Sequence, residues 1–355
     1  MNMQKKISSI IIGNKKIGPG EPCFIIAEAG VNHNGDLSLA KGLIDIASEA
    51  KADAVKFQTF KTEHLVTRDA DKAEYQKTNT SSDESQFEML KRLEFCDEHY
   101  QELFSYAKKR GILFLSTPFD PDSADLLDRI GVPAFKISSG DLNNLPLLSH
   151  IVTKNKPVIL STGMSCLGEI EVTVNHLKKK GLRDLVLLHC TTSYPAPLET
   201  VNLRAMKTLR SAFGFPVGYS DHTTGISIAS AAVALGACII EKHFTLDRSL
   251  PGPDHKASLE PSELKAMVRN IRELEIALGD GIKVISSEEC EIKKIATKSL
   301  VAKCKLYSGD TISSQSLMVK RPGTGIEPKY FDQVLGKKAK QDIKKDHVIT
   351  WDMIE

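Results

Sequence analysis

No run in this 355-residue sequence is apolar for long enough to cross a bilayer. Neither sign of charge dominates: 47 Lys and Arg face 45 Asp and Glu. That balance argues against a general nucleic-acid or membrane-surface protein. The start, M-N-M-Q-K-K-I-S-S-I-I-I-G-N, lacks the apolar core and small-residue cleavage site of a secretory leader. There is no C-x-x-C pair. The seven cysteines (Cys23, Cys96, Cys166, Cys190, Cys238, Cys290 and Cys304) are odd in number and scattered, as expected of reduced, mostly buried thiols in a cytoplasmic protein. No G-x-G-x-x-G or G-K-[ST] follows an early strand, which counts against a doubly wound nucleotide-binding sheet. What is present is 41% hydrophobic residues, enough for a barrel-sized domain and a small one.

Read in order, residues 8–12 and the polar N-K-K turn predict an N-terminal hairpin. C-F-I-I-A-E-A-G-V then opens a series of short apolar runs of the kind buried on both faces of a parallel sheet. The others are 54–59, 112–119, 134–141, 158–164, 185–192, 216–222 and 238–245. Helices fit between them at about 37–50, 121–130, 168–180, 202–212 and 225–235, with another at 261–278. Eight strands, nearly all followed by helices, within about 260 residues are the count and length of a (β/α)8 TIM barrel. The connection 60–97 has no clear helix. It leaves the second strand at its carboxyl end, so it is either a wall of the barrel mouth or surface decoration.

Residues 1–282 therefore read as a barrel domain with its hairpin, 283–297 as a charged linker and 298–355 as a small β-rich domain. The tail carries an internal echo in which 307–317 matches 343–353 at a shift of 36, Asp310 falling on Asp346 and Ile312 on Val348. Between the copies lies K-R-P-G-T-G-I (320–326), a basic loop suited to an anion.

In a parallel sheet every strand presents its carboxyl end at one edge, where such folds bind ligands. Glu28, Lys56, Gln58, Thr117, Lys136, Ser139, Asp141, Ser161, Thr192, Tyr194, Ser220, His222 and His243 all fall there, with Asp254 shortly after the eighth strand. His222 and His243 end neighbouring strands. Each alone reads as a strand cap; together, beside Ser220, Asp221, Glu241 and Lys242, they read as a metal pair. Lys56 and Lys136 sit inside apolar runs, where an ammonium is costly without a counter-ion. A bound phosphate and carboxylate would satisfy them. So would internal pairing with Glu28 or Asp141, and a Schiff-base lysine is a third reading. The residues point to a metal-assisted enzyme for an anionic phosphorylated compound and a carbonyl or hydroxyl partner.

The blocks I-I-A-E-A-G-V-N-H-N-G-D, V-K-F-Q-T, S-T-P-F-D, F-K-I-S-S-G-D-L-N-N-L-P-L-L, L-S-T-G-M, G-Y-S-D-H-T-T-G, E-K-H-F-T-L-D and G-P-D-H resemble, in order, those of the sialic acid synthase family. The tail resembles its antifreeze-like (SAF) domain, with R-P-G-T-G-I as signature. The resemblance implies condensation of phosphoenolpyruvate with an N-acylated mannosamine-type sugar and water to a nine-carbon α-keto acid and phosphate. It implies that His222 and His243 hold a divalent cation, usually Mn2+, with Mg2+ or Co2+ as substitutes. Lys56, Thr117, Lys136, Ser139, Asp141, Ser161 and Ser220 match phosphoenolpyruvate contacts. Glu28 matches the carboxylate at the reacting centre. Gln58, Asn79, Tyr194 and Asp254 match the sugar side. Arg321 matches an arginine that one subunit inserts into its partner's barrel in a domain-swapped homodimer. Two departures stand out: Asp141 where many bacterial members have Glu, and Thr192 where N-acetylneuraminate enzymes have Asn. H-C-T-T-S-Y-P-A-P resembles the legionaminic acid branch, which takes a 6-deoxy-2,4-diacetamido sugar; N-acetylneuraminate synthase is the alternative. A Schiff-base aldolase and a non-catalytic carbohydrate-binding protein are the more distant readings.

Overall fold

The computed structural model describes residues 7–80 and 84–355. Residues 1–6, at the start where no leader is expected, and 81–83, within the 60–97 connection, lie outside the described residues. The chain divides into two units, Met1–Gly279 and Asp280–Glu355.

The first unit opens with the hairpin β1 (Ile10–Ile12) and β2 (Lys15–Ile17), paired antiparallel. Next come β3 (Phe24–Gly30), α1 (Leu37–Glu49), β4 (Ala54–Thr59), three short helices α2 (Thr62–Leu65), α3 (Glu74–Asn79) and α4 (Gln86–Leu93), and α5 (Asp97–Lys109). Then follow β5 (Leu113–Pro118), α6 (Pro121–Ile130), β6 (Phe135–Ile137), α7 (Leu145–Val152), β7 (Val158–Ser161), α8 (Leu167–Lys179) and β8 (Leu185–Cys190). The unit ends with α9 (Leu198–Val201), α10 (Ala205–Phe213), β9 (Val217–Asp221), α11 (Ser227–Ala234), β10 (Ile239–His243) and α12 (Pro261–Leu278). The eight strands β3 to β10 run parallel in the order β5-β4-β3-β10-β9-β8-β7-β6, and β5 lies beside β6, so the sheet curls into the expected barrel.

Alternation along each strand makes two cores. One face (Ile25, Val55, Phe114, Phe135, Leu160, Leu187, Tyr219, Ile240) packs against the helices, through residues such as Leu43, Leu103, Leu127 and Met267. The other face fills the barrel's lower interior with Ile26, Ala54, Leu115, Ile159, Leu188 and Ile239. Ile10, Ile12 and Ile17 of the hairpin join that interior cluster, so the hairpin stoppers the amino end. Ile12 and Ile17 are fully buried there, each worth about 2 kcal/mol in burial alone. With the lower barrel filled by apolar side chains, the polar inward residues of the upper layer face the mouth.

Local chemistry sets the helix starts. Asp36 caps α1 by accepting from Ser38 and Leu39 N–H, and Asp120 with Pro121 starts α6. The 60–97 connection departs from the helix-free reading. α2, α3 and α4 were hidden because each is a turn or two long, and Met89, Leu90 and Leu93 of α4 form a small core with Val31 and Phe60.

The second unit carries the small antiparallel sheet expected of it and adds two details. The stretch 283–297 is not a bare linker: α13 (Ser287–Ala296) lies within it, capped by Ser286. The unit's strands β11 (Ser299–Ala302) and β12 (Leu317–Lys320) pair antiparallel, with isolated antiparallel bridges such as Leu306 to Ile343 and Ala339 to Ile354 and a short helix α14 (Phe331–Val334). The internal repeat runs at a shift of 37 rather than 36. Gly309 and Asp346 both take left-handed φ, 92° and 66°. The pairs Leu306 and Ile343, Ile312 and Ile349, and Leu317 and Ile354 are all buried in one core. Matching letters aligned Asp310 with Asp346, but the turn conformation, which Gly and Asp can both adopt, sets the register. All seven cysteines are free; only Cys23, Cys190 and Cys238 are buried, so the expectation of mostly buried thiols fails for the other four.

Candidate active site

Register carries the inward residues of the upper barrel to one level. His243 pairs with Glu28 and Glu241 with Ser220, while Glu28 pairs with Lys56 and Gln58 with Thr117. With Lys136 from β6, Ser161 from β7 and Cys190 from β8 they line a cavity of about 160 Å³. A larger hollow of about 450 Å³ beside Cys23 and Cys238, at the opposite end of the strands, has no histidine or lysine among its described lining residues. The smaller cavity is where the chemistry converges.

Its floor is a charge cluster. Lys56 Nζ lies 2.8 Å from Glu28 Oε2, without hydrogen-bond alignment, and 3.7 Å from Glu241 Oε2. It donates to Thr117 Oγ1 at 3.0 Å. Lys136 Nζ donates to Ser161 Oγ at 2.7 Å and to the Ile137 carbonyl at 3.1 Å, with Glu241 Oε1 at 3.6 Å. All four charged groups are buried. Burial pushes Glu28 up to about 7, with Glu241 adding to the rise and Lys56 opposing it. Glu241 is held below its ordinary value: burial opposes this, but Lys136 and Lys56 outweigh it. Burial lowers Lys136, while Lys56 is raised, Glu241 and Glu28 overcoming burial. Internal ion pairing thus exists, but at the wall of a cavity, where an incoming anion can replace Glu28 as the partner of Lys56 and also reach Lys136.

The two imidazoles face each other above this floor, ring centroids 5.5 Å apart. His222 Nδ1 lies 2.8 Å from the Thr191 carbonyl. A carbonyl only accepts, so Nδ1 carries a proton. Burial lowers the proton affinity of this ring, but Cys190, the Thr191 carbonyl and Glu241 outweigh it and hold His222 above its ordinary value. His243 Nδ1 is buried with no hydrogen-bond partner, and burial followed by His222 holds that ring well below its ordinary value, hence neutral. The orphaned His243 Nδ1, in a neutral ring, and the neighbouring His222 imidazole fit a divalent cation of borderline softness, which would take the place of any proton on His222 Nε2. His64, Asp120 and Asp122 form another group that could hold an ion. There, however, Asp120 already accepts from Lys61 N, Ser123 N and Ser123 Oγ as the cap of α6.

Two glycines leave room for this arrangement. A Cβ on Gly163 would stand 2.2 Å from Thr192 Oγ1 and 2.8 Å from Ser139 Oγ, which itself accepts from Gly163 N–H at 3.0 Å. Gly30, at φ 54°, follows the strand irregularity at Glu28 and passes close to His243.

Family comparison matches residues 43–283 to the NeuB family and residues 297–355 to the SAF domain. The chain belongs to the NeuB family. It is 54% identical to the N,N'-diacetyllegionaminic acid synthase of Campylobacter jejuni over 92% of this chain and 98% of that one. Identity to the enzyme of the same name from Legionella pneumophila is 47% over the whole of both chains. Among solved structures it is similar to the N-acetylneuraminic acid (sialic acid) synthetase of Leptospira borgpetersenii in complex with citrate, with 41% identity and a TM-score of 0.72 over 81% of this chain and 95% of that one.

Of the residues picked from the sequence of this NeuB-family chain, Glu28, Lys56, Gln58, Thr117, Lys136, Ser139, Ser161, Thr192, Tyr194, Ser220, His222 and His243 line the one cavity. Four others do not. Asp141 turns its carboxylate onto Ser138 Oγ (2.6 Å) and Asn144 Nδ2 (3.1 Å), because it closes the turn after β6. Asn79 donates to the Pro253 carbonyl at 2.9 Å. Asp254 is buried and pushed up to about 6 by that burial. Arg321 lies in the second unit, its Nε donating to the Ala296 carbonyl at 2.9 Å. Sequence reasoning left Cys190 out of the site and noted Glu241 beside the histidines without giving it a role. The two-residue period of a strand places Glu241 on the same inward face as His243.

Proposed function

We propose that this chain condenses phosphoenolpyruvate with the open-chain aldehyde of a 2,4-diacetamido-6-deoxy mannose-type sugar, as an N,N'-diacetyllegionaminate synthase. The enol carbon of phosphoenolpyruvate bonds to the aldehyde carbon, water adds at the adjacent carbon, and phosphate leaves by C–O cleavage. The product is a nine-carbon α-keto acid. The observation that carries the reading is the convergence of two buried lysines, hydroxyls, a carboxyl tuned to about 7 and two facing imidazoles in one cavity. The names of the Campylobacter and Legionella relatives select the acceptor branch.

Lys56 and Lys136 grip the phosphate and carboxylate of phosphoenolpyruvate, with Thr117, Ser139, Ser161 and Ser220 supplying donors. Asp141 supports that grip from behind by holding the turn that carries Ser139. Glu28, poised near neutrality, takes a proton from the incoming water or returns one to the aldehyde oxygen. Tyr194 and Gln58 face the sugar, with Asn79 and Asp254 behind them. His222 and His243 hold a divalent cation, Mn2+ by preference, which when bound supplies Lewis-acid polarisation of the aldehyde oxygen. A domain-swapped homodimer, in which Arg321 of one chain serves the other's barrel, and a cytoplasmic location complete the proposal. No helix among the described residues is long and apolar enough to cross a membrane.

The test is phosphate release from phosphoenolpyruvate across several acceptors. Turnover is expected to be fastest with the diacetamido sugar, slower with N-acetylmannosamine, and abolished by EDTA. Preference for N-acetylmannosamine would move the assignment to N-acetylneuraminate synthase. Borohydride trapping of pyruvate on a lysine, with insensitivity to EDTA, would replace it with a Schiff-base aldolase.

A further inference from the structure

Tyr75 lies outside the cavity lining but touches it through one intermediary. Its ring, carried on α3 in the 60–97 connection, stacks on Tyr194 with centroids 5.1 Å apart and planes 27° from parallel. Tyr194 lies against His222 at 4.1 Å and meets His243 edge-on at 5.6 Å. Four rings from four parts of the chain thus form a continuous column ending at the histidine pair. The helix bearing Tyr75 is tied down again by Asn79, whose Nδ2 reaches the Pro253 carbonyl. Burial, and then Asp254, hold the Tyr75 phenol well above its ordinary value, so it stays neutral. A neutral ring with a dry face is suited to stacking. We propose that Tyr75 is a positioning residue for acceptor specificity: it holds the Tyr194 ring against His222 and so shapes the wall that receives the amino sugar. This inference rests on the reaction assigned above. The Tyr194 ring has one face toward His222 and one toward Tyr75, so removing Tyr75 frees it to swing from the sugar side. The phosphoenolpyruvate grip, built on Lys56, Lys136 and the strand-end hydroxyls, does not involve it.

The experiment compares wild type with Tyr75→Phe, Tyr75→Leu and Tyr75→Ala, measuring KM separately for the diacetamido sugar and for phosphoenolpyruvate. Loss of one aromatic stack corresponds to a rise of up to about ten-fold in the sugar KM. That rise is expected for Tyr75→Ala and Tyr75→Leu, with phosphoenolpyruvate KM unchanged; Tyr75→Phe restores the wild-type value. A residue that only holds the segment together would raise both KM values together, or neither, and either result overturns the proposal. If Tyr75→Ala does not fold, Tyr75→Leu against Tyr75→Phe decides, because both keep apolar bulk and only one keeps the ring. If the wild-type chain releases no phosphate with any acceptor, the assigned reaction falls, and tryptic cleavage after Lys77 becomes the readout. Faster cleavage in Tyr75→Ala than in wild type then supports the Tyr75–Tyr194 clamp, and equal rates refute it.

Discussion

Replacing Lys136 by Met separates the ligand-binding and structural roles of the buried charges. Lys136 Nζ spends two donors on Ser161 Oγ and the Ile137 carbonyl, and its third has Glu241 Oε1 at 3.6 Å, beyond hydrogen-bond reach. That donor is free for a bound anion. A hydrogen bond to a charged group is worth about 1.5–3 kcal/mol, so its loss should lower kcat/KM for phosphoenolpyruvate by about one to two orders of magnitude. Without ligand the same ammonium is a burden, since burial lowers its proton affinity, and Lys56 remains as a partner for Glu241 at 3.7 Å. Replacing a whole buried ion pair by apolar chains is often neutral or stabilising, whereas removing one partner costs about 3–5 kcal/mol; here Lys56 keeps Glu241 compensated, so the cost should fall below that range. Lys136→Met should therefore lose more catalytic efficiency than stability, its urea midpoint falling only modestly. The assays are initial-rate phosphate release at saturating sugar and urea unfolding followed by circular dichroism. An unchanged kcat/KM, or a loss matched by an equal loss of stability, would refute the assignment of Lys136 to the substrate.

Two further outcomes follow from groups beside the cavity. Lys242 Nζ sits 2.8 Å from Asp221 Oδ2, both side chains almost wholly buried, one residue before His243 and His222 respectively. Asp221→Leu alone should cost about 3–5 kcal/mol by stranding the ammonium, and adding Lys242→Met should recover at least half; a single-variant cost under about 1 kcal/mol would mean that the pair is not sealed from water. His33 is held at about 3 by burial and by His255, and its Nδ1 accepts from Gly35 N–H at 3.0 Å, which requires a neutral ring. The folded chain then binds fewer protons than the unfolded one below pH 6.5, so this contribution is full above 6.5 and drains as the pH falls, by about 3 kcal/mol on reaching pH 4. His33→Asn should flatten the acid limb of stability against pH by one proton, and an unchanged slope would contradict the burial argument.

The barrel was legible because strands buried on both faces leave continuous apolar runs, between which most of the long helices had to fit; the structure adds the caps, such as Asp36 and Asp120, that set their starts. The histidine pair was legible because each ring closes such a run at its carboxyl end, and both lysines because each places a charge inside one. Glu241 was noted beside the histidines but given no role, although the two-residue period of a strand aims it inward with His243. Asp141 was misplaced for the opposite reason: it follows Ser139 by two residues, but β6 ends at Ile137 and a tight turn replaces the strand's alternation. Tyr75 had no signal at all. Its partner lies more than a hundred residues away, and its own helix is six residues long. The repeat of the second unit was read one residue out of step because identical letters outweighed the backbone conformation that Gly309 and Asp346 share.

Anomalous diffraction at the manganese edge, from crystals grown with Mn2+ and phosphoenolpyruvate, tests the central claim most directly. The account predicts one strong peak held by both His222 and His243, with the phosphorylated enol against Lys56 and Lys136. A peak at His64, Asp120 and Asp122 instead, or an enol bound away from both lysines, would contradict it.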